Sequence, residues 1–335
     1  MSFLHPLARG LAWLGRYGTQ GFAISIFLGL ALPQFSAAAR PLLPITIFCF
    51  TTVVFLRADF AIIRALVRRP GRLIATCLWL AVAPTLVVAA SLGLIGREAL
   101  DPGMVLGLAL MAAAPPIMSS PAVAILYGFE PSLIIAGVVL NTILAPLVAP
   151  FLVEWLAGAA VPLDRLVLMG RLVIFIGGGI AVAFALRIWL GAERIRAMKP
   201  NLDGFGVLMY FVFAIAAMDG VTRAAMERPG QVALFLGVVF AMSIGGFLTT
   251  ALVLRRSPPS ERFMIGYGAG QRNMGLLVAA LGAGVPQTTF LFFALAQFPI
   301  YLMPWLLGGI AARIRRAEEG RSRLPAAPPR ANPPA

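Results

Sequence analysis

Ten apolar segments, at about 18–38, 41–56, 72–95, 103–127, 131–155, 166–190, 203–219, 231–254, 261–284 and 287–312, follow one another with only short charged or Pro/Gly-bearing stretches between them. A hydrocarbon core of roughly 30 Å is crossed by about 20 helical residues, so spans and their connections take up nearly all of the 335-residue chain. The expected fold is an all-α polytopic membrane protein with ten transmembrane helices. Composition agrees: 60% of residues are hydrophobic and 12% charged, with a mean hydropathy of +0.91. The remaining length holds no soluble catalytic domain.

The net charge of +14 would suit nucleic acid if it were gathered on one surface. Instead the basic residues lie in short blocks between apolar segments, as membrane orientation requires, and no nucleic-acid partner is expected. With the N-terminus inside, twenty of the 27 Arg and Lys fall in cytoplasmic stretches and six outside (Arg40, Arg97, Arg165, Arg171, Arg223, Arg228), which leaves Arg272. That bias predicts a multi-pass inner-membrane protein with both termini cytoplasmic. The stretch "FAISIFLGLALPQFSAAAR" ends like a signal-peptidase site, but its apolar part is long and a 20-residue flank precedes it, so it is read as a retained first span. The end of the chain, 313–335, is basic and then rich in Pro and Ala, and is expected to be disordered. Cys49 and Cys77 lie in apolar segments, and His5 is the only histidine. No disulfide framework, zinc site or Ser-His pair can be assembled within the spans, and an enzyme is not expected.

Two spans are interrupted by residues that oppose helix. Span four, "GLALMAAAPPIMSSPAVAILYGF", carries Pro115, Pro116 and Pro121; span nine, "MIGYGAGQRNMGLLVAALGAG", carries Gly266, Gly268 and Gly270. Breaks are expected near 114–118 and 268–272. The spans after each open at Pro131 and Pro286 and carry one amide, Asn141 or Gln297, about ten residues on. Five spans separate the copies, and an odd number forces the second upside down. The reading is a 1–17 flank, a repeat over 18–160, an inverted repeat over 161–312, and the tail, with helices four and nine crossing near the midplane.

A helix that stops inside a membrane leaves carbonyls at one end and N–H groups at the other without partners. N-terminal ends favour anions and C-terminal ends cations, so two crossed breaks make a small polar cavity. The candidate binding residues collect there: Ser119 and Ser120 in span four; Gln271, Arg272 and Asn273 in span nine; Asn141, with Thr142, and Gln297 in the neighbouring spans. Each has a plainer alternative. The serines could bond back to their own helix, and the amides could join helices at a gain of about 1 kcal/mol. Thr46, Thr51, Thr52, Thr249 and Thr250 are read as packing, and Asp219 as a boundary charge. Arg272 stands apart, since a charge at mid-depth costs about 3 kcal/mol on insertion scales and needs a partner.

At "APPIMSSPAVAILYGFEPS" with "NTILAPLVAPF", and at "GQRNMGLLVAAL" with "PIYLMPWLLGG", the chain resembles the bile acid:sodium symporter family, over about 18–312. The resemblance implies ten spans, inverted repeats, crossed broken helices and secondary transport of a small organic anion across the bilayer. It departs from sodium-coupled members, whose span nine has a Glu-x-Gly-x-Gln-Asn run. Matched on the shared Gly and Asn, this chain has Gly268, Gly270, Arg272 and Asn273; Leu133, Ile134, Ala136 and Gly137 stand at the family's hydroxyl positions in span five. A hard cation needs several oxygen ligands and is repelled by a nearby arginine, so sodium coupling is not expected and no cofactor is implied. Arg272 would either tie carbonyls at the break or pair with a substrate carboxylate through its planar fork. The alternatives in function are a non-transporting membrane sensor or assembly partner with the same fold and, more distantly, an intramembrane serine hydrolase.

Overall fold

The computed structural model describes residues 4–15, 18–58, 70–158 and 163–322. Its regular elements are helices: α1 Leu4–Gly15, α2 Gly18–Ala31, α3 Pro33–Ala39, α4 Leu43–Arg57, α5 Pro70–Ile95, α6 Pro102–Ala113, α7 Ser120–Tyr127, α8 Ser132–Ala157, α9 Arg165–Leu190, α10 Ala192–Ala197, α11 Lys199–Ala217, α12 Val221–Glu227, α13 Pro229–Val253, α14 Pro259–Gly270, α15 Met274–Leu281, α16 Gln287–Leu306 and α17 Gly308–Ser322. Among the described residues, seven stretches are long and apolar enough to cross a membrane: Pro33–Arg57, Pro70–Ile95, Ser132–Ala157, Arg165–Leu190, Lys199–Glu227, Pro229–Val253 and Gln287–Leu306. Leu78, Ile174, Ile188 and Leu252 stand exposed on them, as side chains facing lipid would. The chain is an all-α protein suited to a bilayer.

Helix ends sort onto two faces. On one, Arg57 pairs with Asp203 at 2.5 Å, Arg72 with Glu261 at 3.1 Å, and Arg187 donates to the Leu56 and Ala58 carbonyls that end α4, at 3.1 and 2.7 Å. On the other, Arg40 pairs with Asp219 at 3.0 Å, Arg165 with Glu154 at 2.9 Å, and Arg171 donates to the Leu281 carbonyl that ends α15, at 3.0 Å. Cations at helix C-termini complement the negative end of the dipole. The Arg57 face is the one that the charge count assigns to the cytoplasm. Between the faces, α2, α3, α4 and α11 pack in one group and α5 to α8 with α13 to α16 in another, and α9 packs against both, on α4 and on α8.

Several boundaries differ from those read off the sequence. The segment 18–38 is split at Leu32, before Pro33, and α2 has 14 residues. A further short turn, Arg40–Leu42, precedes α4. Proline removes a donor and biases the residue before it away from helix, which places these breaks. Span four ends at Ala113 and resumes at Ser120, and span nine ends at Gly270 and resumes at Met274. Gly266, Gly268 and Gly270 all remain helical, so they do not loosen the backbone as expected. Gly270 instead permits close approach, since a Cβ there would clash with the Ser243 carbonyl oxygen of α13. Residues 313–322, expected to be disordered, continue α17. Ala311 is buried there, Ile314 packs beside it, and the Glu318 carboxylate accepts from the Ser260 amide at 3.0 Å. The Pro- and Ala-rich end, 323–335, lies outside the described residues, as do Arg16, Arg64, Arg68 and Arg69 of the charge count.

Candidate functional site

The two breaks meet and satisfy one another. Ala114 is extended (φ −62°, ψ 147°) because Pro115 follows it, and Gln271 is extended at φ −104°, ψ 110°. The extended segments so formed meet in one isolated antiparallel bridge between Pro116 and Arg272. The Ile117 amide donates to the Gln271 carbonyl at 2.9 Å, and the Asn273 amide to the Pro115 carbonyl at 2.8 Å. Backbone groups orphaned at both breaks thereby find partners without water.

Arg272 answers most of the remainder. It is 3% exposed; one terminal nitrogen donates to the Leu80 carbonyl at 2.7 Å and the Gly268 carbonyl at 3.2 Å, and the other to the Ala114 carbonyl. Each acceptor lacks a helical partner for a reason visible in the chain. Residue 84, four after Leu80, is a proline inside α5 and has no N–H. Gly268 and Ala114 stand where α14 and α6 run out. Hydrogen bonds to a charged group contribute about 1.5–3 kcal/mol each, so three of them more than offset an insertion cost of about 3 kcal/mol. The guanidinium also neutralises the negative ends of α6 and α14. Its Nε has no partner among the described residues.

The other candidates divide. Gln271 is 3% exposed and faces away, its amide nitrogen donating to Ser243 Oγ. Ser120 is fully buried, and the Ser119 and Ser120 hydroxyls have no partner among the described residues, rather than bonding back to their helix. Asn141 and Gln297 donate to their own helices, at the Gly137 and Phe293 carbonyls, both at 2.9 Å, and do not join helices. Thr142 does the same at the Val138 carbonyl, at 2.7 Å. Asp219 is the ion-pair partner of Arg40.

A cavity of about 620 Å³ brings Ser119, Arg272, Asn273 and Gln297 together; Ser120, Asn141 and Gln271 do not line it. It lies between the two helix groups, walled by α4 and α11 on one side and by α7, α15 and α16 on the other. Arg57, Asp203 and Trp305 stand at its mouth, and Phe50, Tyr210, Phe213 and Tyr301 line its walls. Its inner end is the start of α15, at Asn273, Met274 and Gly275, where the first N–H groups have no partner inside the helix. Asn273 does not cap them with its side chain. The guanidinium thus occupies the C-terminal ends at the breaks, while an N-terminal end faces the cavity.

Sequence reasoning missed three contributors. Pro84 could have been found by asking which carbonyl it orphans. Ser243 is one hydroxyl in an apolar segment, with nothing in its spacing to mark it as the partner of Gln271. The Arg57–Asp203 pair at the mouth joins residues 146 apart and has no local signal. Comparisons with known protein families and with curated proteins found no match for this chain.

Proposed function

We propose that this protein is an inner-membrane secondary transporter of a small organic anion. Ten spans would form two inverted halves, and one helix group would move against the other around the paired breaks. The observation that carries this reading is the one-sided cavity between the two groups, which ends on Arg272, Asn273 and the start of α15. Such an end suits an anion, because helix N-termini and a guanidinium both favour negative charge. Arg272 holds carbonyls and acts on the ligand through its charge, rather than by surrendering its fork to a carboxylate. Asn273, Ser119 and Gln297 supply side-chain hydrogen bonds, and Gln271 braces the break from behind through Ser243.

The resemblance to the bile acid:sodium symporter family supports the architecture, and the departures at Gly268 and Arg272 argue against sodium coupling. The test is uptake of a panel of radiolabelled monocarboxylates into proteoliposomes, with sodium exchanged for potassium or choline. Saturable uptake that changes by less than about twofold on exchange is expected, because a permanent guanidinium stands where a hard cation would need oxygen ligands. A tenfold loss without sodium would refute the coupling claim, and no uptake of any member would favour the second reading. That reading is a sensor or assembly partner that retains the fold, and the three fixed carbonyl contacts of Arg272 favour it.

A further inference from the structure

The cavity is open toward the Arg57 face and sealed toward the Arg40 face, and the seal has an ordered construction. From the cavity wall, Tyr210 stacks on Phe50 with ring centroids 4.6 Å apart, and Phe50 meets Phe213 at 6.0 Å. Phe213 contacts Phe293 across the gap between the two helix groups at 6.2 Å, and Phe293 contacts Phe290 at 5.5 Å. The Arg40 guanidinium lies 4.0 Å above the Phe290 ring and is held there by Asp219 at 3.0 Å. Arg40 and Asp219 belong with α4 and α11, and Phe290 sits on α16 in the other group. The ion pair therefore stays within one group while the cation–ring contact crosses to its neighbour. Among described residues on this face, α9 also bridges toward the second group, through Arg165 to Glu154 of α8 and through Arg171 to the carbonyls that end α15.

We infer that Arg40, Asp219 and Phe290 form a latch that holds the Arg40 face shut and must release for the cavity to open there. The chemistry fits a contact that is made and broken repeatedly. A guanidinium over an aromatic face is attracted by the ring's quadrupole, and a partly exposed carboxylate orients it at modest gain. Neither contact needs a buried unpaired charge when it separates, because the Arg40 and Asp219 side chains are 40% and 20% exposed. The ring series runs from this latch to the cavity wall, so movement of Phe50 or Tyr210 by a bound ligand has packed neighbours through which to reach it. The latch rests on the transport reading, but its test does not require transport.

Cys49 lines the cavity and serves as a sided reporter in the full-length chain carrying Cys77→Ser. The protein is reconstituted in vesicles of both orientations and exposed to a membrane-impermeant maleimide. With the latch intact, Cys49 should react from the Arg57 face and only slowly from the Arg40 face. Phe290→Leu and Asp219→Asn should each raise the Arg40-face rate by about threefold or more, as expected for losing one such contact. Phe290→Tyr, which keeps a ring, should stay near the unsubstituted rate. An unchanged rate in either Phe290→Leu or Asp219→Asn overturns the latch, and so does a rise in Phe290→Tyr equal to that in Phe290→Leu. Asp219→Asn alters a partly exposed group and gives the answer even if Phe290→Leu folds poorly. If Cys49 reacts from neither face in any form, the cavity is not water-filled and both proposals fall. Latch-dependent labelling without uptake of any tested anion would sink the transport reading alone.

Discussion

Arg272→Gln removes a guanidinium but leaves the Leu80, Gly268 and Ala114 carbonyls buried, without their donor. Each buried unsatisfied group costs about 1–3 kcal/mol, so the melting temperature in detergent should fall by on the order of 5 °C or more. Arg272→Lys should fall between, because an ammonium keeps the charge but cannot reach three acceptors in one plane. Pro84 makes the test specific. In Pro84→Ala the backbone regains an N–H for the Leu80 carbonyl, so the Arg272→Gln penalty should be smaller in that background than in the unsubstituted protein. Equal penalties would show that the guanidinium does not serve this carbonyl. At this scale the sequence announced that Arg272 needs a partner, since the cost of a charge among apolar residues is local information. It did not say which of two partners, because that depends on where a carbonyl of α5 lies 192 positions away. Asn141 and Gln297 were ambiguous between binding and joining helices for the same reason, and packing gave a third outcome, a bond to their own helix.

At the scale of elements, the proline break of span four was legible because Pro115 and Pro116 act on adjacent backbone. The break of span nine falls just beyond its glycines, since a helix packed closely on another gains more from glycine's missing side chain than it loses in backbone freedom. Gly270→Ala puts a methyl group against the Ser243 carbonyl, a backbone atom that cannot swing aside. It should lower the melting temperature by several degrees, of the order that overpacking of 1–3 kcal/mol produces. Gly237→Ala on α13, where nothing lies within 4 Å, should be neutral or slightly stabilising. Equal effects would remove close approach as the reason for Gly270. The helix over 313–322 escaped a reading based on charge, because its apolar docking side is small, Ala311 and Ile314, and its polar anchor, Glu318 on the Ser260 amide, joins residues far apart in sequence.

For the whole molecule, membrane class follows from composition, and the separation of the faces follows from the order of the spans. A small polar cavity at the crossed breaks was expected; its extent out to Arg57 and Asp203 was not legible, since it is what two helix groups leave between them. Sidedness is open to a direct check: a C-terminal reporter that functions only in the cytoplasm should be active, and one that needs export should be silent, given the twenty-to-six division of basic residues. The opposite result would reverse the assignment of the Arg57 face. The tethering of Arg272 by three carbonyls then has an electrical consequence. A transporter that neutralises its anion with a dissolved ion can shed that ion, whereas on the transport reading this chain would keep its guanidinium through the whole cycle. On the transport reading, the loaded centre is close to neutral and the vacated one carries a unit positive charge. A charge crossing the full field feels about 2.3 kcal/mol per 100 mV, so membrane voltage would act mainly on the return of the empty carrier.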